Sequence, residues 1–237
     1  VAGGDGLLLL DAGPGDLREH LQDMRNVCES RACRTASRVE TGDLAHVCRR
    51  AAEHHLLLEC HTSLAFLAGY ELDRKSGAEV FPIQKGVRKN LWRPSMTVEG
   101  ATTVRPGWTV TTRDVSLGAP DVAVAVSVAR DVLADVTAFA ATIPSLGAVV
   151  DVRVAEFGPR AVVDADHAVA LADALAEVIR RHRPSAGATV HLFIAAPNGL
   201  TFFLAQHRAA LGRVQLYEFD FDGAQGGSYA PSLRLPE

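Results

Sequence analysis

The sequence of 237 residues carries no excess of positive charge: 24 Lys and Arg stand against 28 Asp and Glu, a formal net charge of −4. A globally basic nucleic-acid coat is thereby excluded, and no direct DNA binding is expected; a local basic pocket for a small anion stays open. Cysteine is sparse, and Cys28, Cys33, Cys48 and Cys60 all fall early in the chain without regular spacing. They make no disulfide framework, and nothing reads as a secretory leader, so reduced thiols and a cytoplasmic setting are expected. His20 with Cys28 and Cys33 matches no zinc spacing, so neither a metal nor a cofactor is expected. Long apolar runs are missing too. The run from Leu7 to Leu10 falls far short of the ~20 residues that a membrane helix needs.

The usual nucleotide and hydrolase motifs are also absent. There is no Walker lysine pattern, no G-x-G-x-x-G after a strand and no G-x-S-x-G elbow. Glu59, Cys60 and His61 adjoin in sequence, but neighbours on a strand point to opposite faces and make a poor nucleophile–base pair. No catalytic residue is assigned.

What is present is a repeat. "HLLLECHTSLAFLAGY", from His55, lies without a gap over "HLFIAAPNGLTFFLAQ", from His191. The same spacing sets "EVFPIQ", Glu79 to Gln84, over "QLYEFD", Gln215 to Asp220. A strand–helix–strand unit is therefore used twice. With 48% hydrophobic and 22% charged residues, the chain has the composition of an ordinary globular protein.

Along the chain, the glycine-rich opening reads as a linker or as the edge of a larger protein, over 1–40. Helices are predicted for "DLREHLQDMRNV" and for "GDLAHVCRRAAEHH" capped by Thr41. The basic "KGVRKNLWRPS" reads as a loop, and "MTVEG" with "GWTVTTRDVS" as a hairpin-like insertion. "VAVAVSV" is a buried strand by its β-branched content, "RDVLADVTAFAAT" a helix and "AVVDVRVA" a strand. "DADHAVALADALAEVIRR" is amphipathic, with Asp164 as its cap. Such alternation gives an α/β fold of two Rossmann-like halves with mainly parallel sheets, about 41–120 and 121–237, joined by the β insertion.

Ligands of open α/β sheets sit beyond the carboxyl ends of the strands, at helix N-termini. Those ends are "ECHTS" in copy one, offering Thr62 and Ser63 with His61, and "APNG" in copy two, offering Pro197, Asn198 and Gly199. Lys85, Arg88, Lys89 and Arg93 cluster around Trp92, combining phosphate-pairing cations with a ring able to stack on a base. Arg160, in the loop before the long helix, adds a cation to this rim. Of the adjacent Phe202 and Phe203, one is expected in the core and the other against a pocket; Phe202 is carried as a candidate.

The quoted segments, with the ending "VQLYEFDFDGAQGGSYAPSLRLP", together resemble the SAVED domains, from about Thr41 to the C-terminus. That resemblance implies two fused CARF-like halves sensing a cyclic tri- or tetra-adenylate-like oligonucleotide in CBASS or CRISPR antiphage defence. It also implies a fused or separate effector, such as a nuclease, and ligand-driven homo-oligomerisation. The first forty residues resemble no effector. Because "ECHTS" differs from "AAPNG", and the Trp92 loop from "DGAQGGSY", the pocket is expected to be asymmetric, which suits a ring of three nucleotides. Two other readings stand beside this one: a ring nuclease that cuts its ligand, and a protein-interaction module that binds no nucleotide.

Overall fold

The computed structural model describes residues 54–72, 79–84, 89–95, 107–221, 223 and 227–236, together with the backbone of 6–11. Lys85, Arg88, the helix predicted from Asp16 and the "MTVEG" strand lie outside the described residues. So does the helix predicted from Gly42, except for its last two positions, His54 and His55, which open a strand.

The described strands form two sheets. The first has the order β1 (Gly6–Asp11), β2 (His54–Glu59), β3 (Val80–Gln84), β4 (Asn90–Leu91). Its first three strands are parallel and β4 turns back antiparallel on β3. The glycine-rich opening is therefore no mere linker: Leu7 to Leu10 run alongside His55 to Leu58 as the edge of this sheet.

The second sheet has the order β10 (Tyr229–Leu235), β9 (Arg213–Phe219), β8 (Thr189–Ala195), β6 (Asp121–Ser127), β7 (Leu146–Arg153), β5 (Thr109–Asp114). Its four inner strands are parallel. The two outer ones are antiparallel to their neighbours. Here β5 joins the second sheet, paired antiparallel with β7. The division at residue 120 cuts it from the sheet it joins.

The repeat is visible in this topology. In copy one, β2, α1 (Thr62–Glu71), β3 and β4 follow one another. In copy two the same order is β8, α4 (Asn198–Ala205), β9 and β10, with the single turn α5 (Arg208–Leu211) added after α4. Each copy has a parallel neighbour before it, β1 or β6. The remaining helices among the described residues are α2 (Leu133–Ala140), between β6 and β7, and α3 (Ala165–His182), which carries the chain from β7 across to β8. Asp164 caps α3 as expected, accepting the His167 amide at 2.8 Å.

Alternation on β6 shows how the layers form. Val122, Val124 and Val126 face α1, α3 and α4, in a core that also takes Leu56 and Leu58 of β2 and Leu192 of β8. Ala123 and Ala125 face the other way, against α2, Phe193 and Tyr217. With a period of two, a strand buried on both faces must read as an unbroken apolar run, and this one does. One core is thus shared by both sheets, and the halves fold against each other.

At the amino ends of the parallel strands, His191 is buried, its Nδ1 2.8 Å from the Tyr217 hydroxyl and its Nε2 3.5 Å from Asp121. Burial pushes the imidazole below its ordinary 6.5, although Asp121 pulls the other way. The neutral ring is therefore the native form. Below pH 6.5 the unfolded chain takes up a proton that the folded chain resists, so stability is full above 6.5 and declines as the pH falls through that value. The melting temperature should drop between pH 7.5 and 5.5, and the drop should shrink in His191→Gln; an equal drop in both proteins would assign the effect elsewhere.

Candidate ligand site at the paired helix ends

The carboxyl ends of β2 and β3 meet those of β8 and β9 because α1 and α4 pack against each other. Gly69 of α1 permits this approach: a Cβ there would collide with the carbonyl oxygen of Phe202 and come within 3.0 Å of the Ala205 Cβ. With the helices this close, each helix start lies within reach of the other copy.

The contacts there run both ways. Asn198, the first residue of α4, donates from Nδ2 to the carbonyls of Leu58 at 3.1 Å and Cys60 at 2.8 Å, at the end of β2. The Gly199 amide donates to Gln84 Oε1 of β3 at 3.2 Å. In the other direction the Ser63 amide of α1 donates to Glu218 Oε1 of β9 at 2.6 Å, and its hydroxyl lies 2.5 Å from that of Ser232 on β10. A helix N-terminus attracts negative charge, and Glu218 supplies a carboxylate where an anion would otherwise sit. Copy one is met by a carboxyl side chain and copy two by a neutral amide, so the two ends are chemically different.

These contacts decide where the sequence-predicted residues stand. Thr62 is half-buried at the start of α1, and Pro197 half-buried before α4. Ser63 is buried, with amide and hydroxyl both engaged. Asn198 and Gly199 sit at the expected corner, but their polar groups tie the two copies together. Phe202 is buried to 0% exposure at the helix crossing, with Phe203 also buried, so Phe202 lines no pocket.

Trp92 departs furthest from expectation. Its ring is only 7% exposed and lies over Gly199, where a Cβ would come within 2.6 Å of Cε3. Its amide donates to Pro82 O at 2.8 Å, holding the chain after β4 against β3. A ring covered in this way offers no free face to a base. Copy two therefore needs glycine where copy one has Ser63. Beyond Trp92, Arg93 is exposed and lies over the Phe81 ring at 5.0 Å, and Lys89 pairs with Glu59 at 3.1 Å. Ser95 reaches the second half, its amide and hydroxyl donating to Asp166 in the first turn of α3 at 2.6 and 2.8 Å. Arg160 is exposed in the loop that leads to the same turn.

Sequence reasoning missed Gln84, Glu218 and Ser232, because the partners of each helix start come from the other copy. It also missed the end of β6. There Arg130 pairs with Asp135 of α2 at 2.9 Å and lies 4.5 Å over Phe219 and 5.6 Å over Phe221. The amides of Val128 and Ala129 both donate to Ala195 O, at 3.0 and 2.7 Å, joining the ends of β6 and β8. Strand order reverses between these two strands, with β7 on one side and β8 on the other, and such a point is where open α/β sheets take ligands. Among the described residues, no His, Cys, Asp and Glu group could hold a metal ion. No helix among them is long and apolar enough to cross a membrane.

Two Rossmann-like units with mainly parallel sheets, fused in one chain with loops from both copies at a common end, define a duplicated α/β fold. The family model described as "SMODS-associated and fused to various effectors sensor domain" matches residues 41–235, and the chain belongs to that SAVED family. CD-NTase-associated protein 4 of Enterobacter hormaechei subsp. hoffmannii is 36% identical over 183 residues, which cover 76% of this chain and 36% of that protein. This chain thus spans little more than a third of that relative's length. Among solved structures, the Acinetobacter baumannii Cap4 SAVED/CARF-domain containing receptor is similar at a TM-score of 0.59 and 15% identity, over 93% of this chain and 41% of that one. The same receptor with the cyclic trinucleotide 3′3′3′-cAAA gives 0.61 and 16% identity, over 82% and 42%.

Proposed function

We propose that this chain is a cyclic-oligonucleotide sensor of antiphage defence whose ligand, a cyclic triadenylate-like ring, seats across the paired ends of the two copies. The observation that carries this reading is the reciprocal engagement of the two helix starts, one by Glu218 and the other by Gln84. It makes a single composite surface from two related but unequal halves, which suits a ring of odd nucleotide number. The A. baumannii receptor, similar in fold, was solved with a cyclic trinucleotide.

In this reading the cations of the loop after β3, Lys85 and Arg88 with Arg93, meet the ring phosphates, and Arg160 meets them from the second half. The effector lies outside this sequence, on a longer chain or on a partner. Ligand lying across a junction between protomers favours association by its differential affinity, about 1.4 kcal/mol for each tenfold preference.

Thermal shift and calorimetry with 3′3′3′-cAAA test the reading. At a hundredfold excess over Kd the ligand should stabilise the protein by about 2.7 kcal/mol. Affinity should fall as salt rises, and Lys85→Glu combined with Arg88→Glu should abolish binding. Failure of cyclic di-, tri- and tetranucleotides alike to shift the melting temperature would leave the interaction-module reading in its place.

A further inference from the structure

A line of rings crosses the second half from its core to solvent. Phe139 meets Phe193, Tyr217 and Tyr229 edge-on at centroid distances of 5.8, 5.3 and 6.0 Å. Tyr229 meets Phe219 at 5.2 Å, and Phe219 meets Phe221 at 5.1 Å. The last ring, Phe221, is 78% exposed. A large aromatic this open gains little from folding, yet its neighbours hold it at the carboxyl end of β9 beside the Arg130 guanidinium.

The charges around these rings select the kind of ligand. Arg130 is already paired with Asp135, and the nearby Asp131 with Arg153 at 3.4 Å. Asp220 and Glu218 flank Phe219 on its own strand end. Among the described residues this surface holds no spare positive charge for a phosphate, but it does offer an exposed ring and the flat face of a guanidinium, both of which stack on π systems. In the repeat, Phe221 stands where copy one has Lys85, so equivalent positions carry an aromatic in one half and a cation in the other.

We infer that Phe221 and Arg130 form a nucleobase-stacking subsite at the end of β9, which takes one base of the ring while the cations of copy one take phosphates. The inference rests on the cyclic-oligonucleotide reading above. Stacking without hydrogen-bond readout tolerates any base but prefers the larger purine face.

Calorimetry with 3′3′3′-cAAA, on the wild-type chain and on Phe221→Ala, Phe221→Trp and Arg130→Ala, tests it. Phe221→Ala should weaken binding about 5- to 150-fold, the range for a lost base–aromatic stack. Phe221→Trp should keep or improve affinity, and the salt dependence should be unchanged in both, because no phosphate contact is touched. Arg130→Ala should weaken binding in the same direction. The melting temperature of Phe221→Ala should stay at the wild-type value, since the ring is exposed. Wild-type affinity in Phe221→Ala, with the ligand bound normally by the parent, would overturn the stacking subsite alone. No binding by the parent protein would overturn it together with the reading on which it rests.

Discussion

Trp92→Ala is expected to destabilise the fold by about 3–5 kcal/mol, the cost of truncating a large buried aromatic. The loss has two parts. Apolar surface returns to water, and a cavity opens over Gly199, which has no side chain to fill it. The chain after β4 would also lose the Trp92 packing that holds it against β3, leaving the hydrogen bond from the Trp92 amide to Pro82 and the contact of Arg93 with Phe81. Denaturant titration measures the effect as a lower midpoint, and Trp92→Phe should recover part of it. A variant with wild-type stability and weakened ligand affinity would instead return Trp92 to the role its sequence position first suggested, a stacking platform within a basic loop.

The reversal at Trp92 shows what the sequence carries and what it does not. Clusters of cations around one tryptophan occur both in nucleotide sites and on solvated loops whose ring turns inward, and local composition does not distinguish them. What decides is Gly199, more than a hundred residues away, whose missing side chain makes room for the ring. Periodic signals were legible where one element determines its own environment. The unbroken apolar run of β6 announced a strand buried on both faces, and Asp164 announced the start of α3.

Where a second element decides, the reading went astray. The period-two pattern of β5 predicted a strand but did not name β7 as a partner. The short leucine run of β1 is too brief and too closely flanked by glycine to stand out, and pairing with β2 makes it a strand. At the candidate site the strand-end rule found the corner, and the repeat found its counterpart. Yet the partners of Asn198 and Ser63 are carbonyls and a carboxylate from the opposite copy. Arg130 and Phe221 were invisible for the same reason: residues from the ends of two strands meet only once β6 and β9 lie on either side of β8.

The same dependence on the opposite copy makes Gly69→Val the sharpest test of the composite site. Valine would drive its Cβ into the carbonyl of Phe202, which belongs to the backbone of α4 and cannot turn aside as a side-chain tip can. Its branched carbons would add crowding at Ala205. The helices must then separate, at an expected cost of about 3 kcal/mol, the upper end for an overpacked core. Separation also pulls Asn198 from the carbonyls of Leu58 and Cys60 and Glu218 from the Ser63 amide, because each of these bonds ties the start of one helix to a strand end of the opposite copy. Ligand binding should therefore fall by more than the lost stability explains: even below its own melting temperature the variant should bind 3′3′3′-cAAA weakly, although no residue facing the ligand has changed. Circular dichroism melts fix the stability and calorimetry at low temperature fixes the affinity. A variant that melts early yet binds with wild-type affinity while folded would show that each half holds the ligand by itself, and the composite surface would be abandoned.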